Sequence, residues 1–552
     1  MIWSGSSSAR IILTGEVGIG AKGMEMNRTL LVRALFAGTA MMLSTAALAQ
    51  AEQQPDTSDA AADAVIAQAT AVDDAQAKIE LLQAQVEALQ ESLAQVQASI
   101  VKTTPSWKGG PLLEDKEAGW SFKPRGRIMY DVGFVSNPDD NNPANGVLAG
   151  SSNLGFNSRV RRIRLGAEGT IPGGFGYKFE MDFANAAVGF GDAIITYAPA
   201  NRPYSLTIGN HETHNSLDQI TSSRFLNYLE RSAFNDAFVN TRRIGISGGL
   251  VNKANTLRLN AGLFAAHSID SSFDNDGFIA AARATYSPLL GTSQLHLGAN
   301  VQQRRFQSNN GATTSISQGS PSTNQLARYR ARPFTQTTDV RFVDTGNFAA
   351  RGDRIIGVEA GGIFKSLHLA AEAQYLKSDA YQRGDTFSST EPFDAFAGPT
   401  ALVASGDPSF WGGYVEAGYF ITGETRGYKN GAWDRTKVLK PFSQGGWGAL
   451  QVNGRVDYLD LDSSRLKNGF TNNFVTGAAT ASNSLTRGGK QLGLIGSVVW
   501  LPEDYFRIYL QYARAQITGG PNAAVAEPGS TKPLDKRKYG VDVVAARASI
   551  DF

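Results

Sequence analysis

Cysteine is absent from the 552 residues, histidine occurs only five times, and 52 basic residues are almost cancelled by 50 acidic ones. Without thiols there is no disulfide framework, no cysteine nucleophile and no thiolate metal site, and the absence fits an oxidising compartment. So few histidines leave little for acid–base or metal chemistry, and no cofactor is expected. A net charge of +2 excludes the basic balance of a nucleic-acid binder. Long apolar runs are also missing and the mean hydropathy is negative, which argues against α-helical membrane spans. The single uninterrupted run, Ala34 to Leu48, follows Arg28 and Arg33 and ends in Ala47-Leu48-Ala49. Such a succession of charged, apolar and small residues is a secretory signal peptide. Cleavage before Gln50 is expected. Translation is expected to start at Met24 or Met26, so residues 1–49 comprise upstream sequence plus the signal.

Residues 50–71, rich in Ala, Gln, Asp and Ser, read as a flexible linker. Over 72–104 the pattern turns helical. Ile79, Leu82, Val86, Leu89, Leu93, Val96 and Ile100 are spaced alternately three and four apart, which puts one apolar seam along a helix that supercoils with partners. Mixed Ile, Leu and Val at the seam is compatible with a homotrimer. The competing reading is a single amphipathic helix packed on a domain. Pro105 stops the helix.

From 107 to 552 the pattern becomes roughly ten-residue segments of alternating polarity separated by turn residues, as in a transmembrane barrel. Near the end, Leu492, Leu494, Val498 and Trp500 alternate with polar or small residues, Leu501-Pro502-Glu503-Asp504 turns the chain, and Phe506, Ile508, Leu510 and Tyr512 alternate again. Strands are expected near 125–136, 158–171, 176–187, 192–199, 204–210, 240–250, 256–266, 278–287, 293–306, 353–363, 367–378, 410–421, 446–461, 489–500, 505–516 and 538–552. Connections after odd strands are mostly long and those after even strands short, the asymmetry between extracellular loops and periplasmic turns. The short 188–191 and the long 422–445 break that parity. A β-sandwich is disfavoured because its inward positions would be apolar, whereas here they hold Arg, Glu, Asp, Gln and Asn. The predicted class is all-β: a sixteen-stranded antiparallel transmembrane β-barrel preceded by a short coiled-coil helix, facing outer-membrane lipid.

The strings FKPRGRIMYDVGF (122–134), RVRRIRLGAEGTIPGGFGYKFEMDFA (159–184), TSSRFLNYLERSAFNDAFVNTRRIGI (221–246), GGWGALQVNGRVDYLDLD (445–462) and VVWLPEDYFRIYLQYARAQITGG (498–520) resemble the phosphate-selective porin O and P family. The resemblance implies a trimeric outer-membrane channel, not an enzyme, with an inward-folded third long loop and a preference for small anionic solutes such as phosphate or polyphosphate. One departure stands out. Where the family tends to carry a basic residue and then proline after the fifth strand, this chain reads Gly209-Asn210-His211-Glu212-Thr213-His214.

A channel acts through charges on its lumen face. The alternation places Arg125, Arg127, Arg162, Arg164, Lys178, Arg243, Arg258, Arg304, Arg455 and Arg507 inside, with Glu168, Glu180, Asp182, Glu359, Glu372, Glu416 and Asp457. This is a modest basic surplus, which reads either as a path for anions or as wall ion pairs that keep the lumen wet. Arg127, Arg162 and Arg164 form the sharpest cluster, with Asp131 and Glu168 as the expected nearby acids. The loop 211–239 adds Arg224 and Arg231 but also Glu212, Asp218, Glu230 and Asp236, so folding inward would narrow the pore more than charge it. The expected pore-lining residues are therefore Arg127, Arg162, Arg164, Lys178, Arg224, Arg231, Arg243 and Arg258. The run Gly245-Ile246-Ser247-Gly248-Gly249 fits a nucleophile elbow but sits inside a predicted strand. His211 and His214 lack a third metal ligand. The alternatives are a general porin, a barrel enzyme using His296 or His368, and a plugged structural barrel.

Overall fold

A computed structural model describes residues 75–95, 109–138, 154–184, 188–238, 240–266, 269, 277–306, 326–382, 401–467, 470–472, 479–481 and 487–552. The expected signal peptide, the linker, Val96 and Ile100 lie outside the described residues. The chain divides into two compact units, 1–95 and 96–552. In the first, helix α1 spans 75–95. Its seam residues Ile79, Leu82, Val86, Leu89 and Leu93 are each more than half exposed.

In the second unit the backbone groups of sixteen long strands are satisfied by antiparallel pairing around a closed ring, as a bilayer demands. They are β1 (Trp120–Val135), β2 (Gly155–Ile171), β3 (Phe175–Asp182), β4 (Gly189–Tyr197), β5 (Tyr204–His211), β6 (Arg243–Val251), β7 (Leu257–Ala265), β8 (Phe278–Tyr286), β9 (Ser293–Arg305), β10 (Phe348–Phe364), β11 (Leu367–Ala380), β12 (Ser409–Phe420), β13 (Ala449–Asp460), β14 (Lys490–Glu503), β15 (Phe506–Thr518) and β16 (Lys538–Asp551). Closure comes where β1 pairs with β16, Arg127 standing opposite Asp551. Three short strands, Leu113–Asp115, Leu289–Leu290 and Leu326–Ala327, extend the sheet.

Period-two alternation decides the two faces. On β11, Leu367, Leu369 and Tyr375 are exposed on the outside, whereas His368, Glu372 and Gln374 are buried within. Every expected strand has a counterpart in order.

Among the described residues, several connections fold into the lumen, including the 326–347 segment between β9 and β10, whose Arg332 and Phe334 line the cavity beside the third loop. The third loop enters between β5 and β6 with helices α2 (Leu217–Ile220) and α3 (Ala233–Phe238). Ser216 caps α2, its hydroxyl accepting from the Gln219 amide at 3.0 Å. Wall carboxylates hold both helices. Glu372 accepts from the amides of Leu217 (2.8 Å) and Asp218 (2.7 Å), and Asp457 from that of Ala233 (3.1 Å). From other parts of the wall, Arg547 donates to the Leu229 carbonyl (2.6 Å) and Arg304 to that of Phe238 (2.9 Å). The apolar side chains Leu217, Leu229, Phe234 and Phe238 complete the packing, buried among the loop and the wall.

The parity-breaking connection after β12 also folds inward. Gly427–Lys429 pairs antiparallel with Ala432–Asp434 across Asn430 and Gly431. Both turn residues have positive φ (55° and 78°), the geometry that Asn-Gly favours in a two-residue hairpin. Tyr428 reaches His296 (2.6 Å), the Gly431 carbonyl accepts from Arg283 (2.8 Å), and Arg426 stacks on Trp433 while bonding Glu416. The Trp433 amide meets Thr221 of the third loop at 3.4 Å, so the two inward elements touch.

Candidate functional site

Between the third loop and the β1–β4 wall lies a cavity of about 470 Å³. Ten basic side chains line it (Arg125, Arg127, Arg161, Arg162, Arg164, Lys178, Arg224, Arg231, Arg242 and Arg332) against four acidic ones, Asp192, Glu212, Glu230 and Asp236. Of the acids on the β11–β13 wall, Glu372 and Asp457 bind the loop backbone and Glu416 pairs with Arg426 and Arg455, and none of them lines this cavity.

A β-bulge makes this density possible. The β1–β2 register runs Met129↔Arg162 and then Tyr130↔Val160, leaving Arg161 as the extra residue. One added residue resets the alternation. Arg161 and Arg162 thus both reach the cavity, Arg159 meets the Gln336 carbonyl of the inward-folded 326–347 segment, and Phe156 faces outward, 72% exposed.

The cations differ in how far they are neutralised. Arg127 bonds Glu180 (2.7 Å) and the Ser223 hydroxyl (2.7 Å), and Arg164 bonds Glu180 (2.8 Å) and Asp182 (2.7 Å). Lys178 and Arg242 both bond Asp192. Arg161 forks onto Glu230 (2.8 and 3.0 Å). Burial alone would raise the Glu230 carboxyl, but the guanidinium groups of Arg161 and Arg547 outweigh it and hold it well below the usual carboxylate range. Arg231 folds back onto the carbonyls of Asp218, Gln219 and Thr221. Arg162 is 5% exposed, its Nη1 approaches Met129 Sδ (3.7 Å), and its Nε meets no acceptor among the described residues.

Six of the eight residues expected from sequence, namely Arg127, Arg162, Arg164, Lys178, Arg224 and Arg231, line this one cavity. Arg243 instead bonds the Ala266 carbonyl at 3.0 Å, and Arg258 meets Asn430 of the inward hairpin at 2.8 Å. Arg161, Arg242 and Arg332 were not anticipated. For Arg161 the available signal was the arginine doublet inside a strand, which puts both side chains on one face only through a bulge. The expected acids need correction. Asp131 is taken by Arg547 (2.6 and 2.7 Å) and Glu168 by Arg125, while Glu180 and Asp182 serve the cluster, because β3 lies beside β2 in a register that pairs Arg164 with Asp182.

Ser247 and His211 face each other from neighbouring strands, hydroxyl to Nε2 2.7 Å, with Nδ1 on the Gly209 carbonyl. Ser247 lies within β6, not at a strand-to-helix turn. The His211 and His214 rings are 5.9 Å apart, and no group of three potential metal ligands occurs among the described residues.

The sequence profile described as phosphate-selective porin O and P matches residues 122–526. An uncharacterized protein of Caulobacter vibrioides is 32% identical over 456 residues, covering 81% of this chain and 77% of that protein. Similar solved structures include an anion-selective porin from Comamonas acidovorans (12% identity, 78% of this chain and 99% of that one, TM-score 0.39). The outer membrane channel DcaP of Acinetobacter baumannii is another (14%, 79% and 98%, TM-score 0.39).

Proposed function

Since the chain belongs to the phosphate-selective porin O and P family, an outer-membrane porin by fold and location, we propose that it passes small anions by diffusion through the basic cavity beside the third loop. The observation that carries this reading is the excess of ten basic over four acidic lining side chains, with Arg162 buried and short of acceptors. In a narrow aqueous passage charges are screened less than on an open surface, so each unneutralised guanidinium biases an ion by an amount on the order of 1 kcal/mol. Guanidinium forks also suit oxyanions such as phosphate or polyphosphate. Changing Arg127, Arg162 and Arg164 together to Gln is expected to reduce the anion-to-cation permeability ratio several-fold. An unchanged ratio would assign these residues to wall ion pairs alone.

The assembly we infer is a homotrimer joined in part by α1 on the periplasmic side, a reading supported by the exposed, heptad-spaced seam. Sedimentation of the segment 72–102 should show associated helices, and a monomer at high concentration would rule out the coiled coil.

A further inference from the structure

The inward hairpin brings a third arginine to a place where two already stand. Phe225, in the third loop and 7% exposed, has the guanidinium carbons of Arg224, Arg435 and Arg507 at 5.0, 5.3 and 5.5 Å from its ring centre. Arg224 comes from the loop, Arg435 from the connection after β12, and Arg507 from the start of β15. Carboxylate is scarce around them. Asp551 is shared by Arg435 and, at 3.5 Å, Arg224. Asp504 turns its side chain to the Val438 amide (2.7 Å) and offers Arg435 only a backbone carbonyl at 2.5 Å, while Glu168 is taken by Arg125. Arg507 is 5% exposed, and its Nε and Nη2 meet no acceptor among the described residues.

A buried guanidinium with unmet donors is costly unless something supplies the acceptor. The ring of Phe225 stabilises the cations through its face but cannot accept their in-plane N–H bonds. The geometry points to a second anion-binding subsite at the periplasmic end of the lumen, formed by Arg507, Arg435 and Arg224 around Phe225, that takes a small oxyanion. Because Arg224 also lines the larger cavity, an anion leaving that cavity meets the subsite next, before the periplasmic turns.

This inference rests on the anion-porin reading, and the test separates the two. Inorganic phosphate is added to the periplasmic side of single channels in a planar bilayer, and its block of chloride current is titrated. Arg507→Gln and Arg435→Gln are each expected to weaken periplasmic-side block at least five-fold, with Arg507→Lys weaker in effect. Arg435 lies outside the barrel wall, so its variant carries the test if Arg507→Gln fails to insert. Unchanged periplasmic-side affinity in Arg435→Gln would overturn the subsite while leaving an anion-selective channel intact. A cation-selective wild type would overturn both.

Discussion

Arg162 and His214 show how neighbours decide what a polar side chain does in the lumen. Arg161 and Arg162 are adjacent in sequence, yet the first is neutralised by Glu230 and the second is not. His214 adopts φ 53° where the third loop begins. Burial, then the neighbouring His211 and Arg283, depress its pKa to about 4 from an ordinary 6.5. A base whose pKa is lowered by packing stabilises the packed state fully above the unfolded value and loses that contribution as pH falls toward the packed one. Acidification from pH 7 to 4 should therefore loosen the loop, by up to about 3 kcal/mol at this residue. Amide exchange over 211–242, corrected for intrinsic rates, should accelerate at low pH in the wild type and respond less in His214→Gln. An equal response in both would remove His214 from the account.

At the scale of elements, the third loop is held by hydrogen bonds to wall carboxyl groups and by apolar packing together. A hydrogen bond contributes about 0.5–1.5 kcal/mol net, and the Glu372 and Asp457 carboxyl groups accept from the amides of Leu217, Asp218 and Ala233 at the starts of α2 and α3. Glu372→Gln with Asp457→Asn should loosen the loop, giving larger and noisier single-channel conductance; unaltered traces would show that packing by Leu217, Phe234 and Phe238 suffices alone. The strands that support these acids were legible in the sequence, because period-two alternation is local. Inward folding of 422–445 was not read, although Lys429-Asn430-Gly431-Ala432 is itself a hairpin signal. Such a turn fixes the hairpin but carries no information about its direction. Here direction depends on lumen partners as distant in sequence as Arg258 and Asp551. The bulge at Arg161 escaped for a related reason, since strict alternation has no place for an extra residue.

Over the whole molecule, a nearly neutral chain has sorted its charges by place. Glu372 and Asp457 on the β11–β13 wall bind the backbone of the third loop, and the β1–β4 wall turns Arg125, Arg127, Arg161, Arg162, Arg164 and Lys178 to the passage, backed by Glu168, Glu180, Asp182 and Asp192. Net charge conceals this sorting, which only the closed ring and the inward loops create. Sixteen strands and a polar lumen were readable before the fold; which arginines share one cavity depended on strand register and on loops that return from opposite ends. The central claim is that this passage prefers anions. Its most direct test is the reversal potential of the wild-type channel across a potassium chloride gradient: the account predicts the sign of an anion-selective pore, weakening as salt is raised, and a cation-selective sign would contradict it.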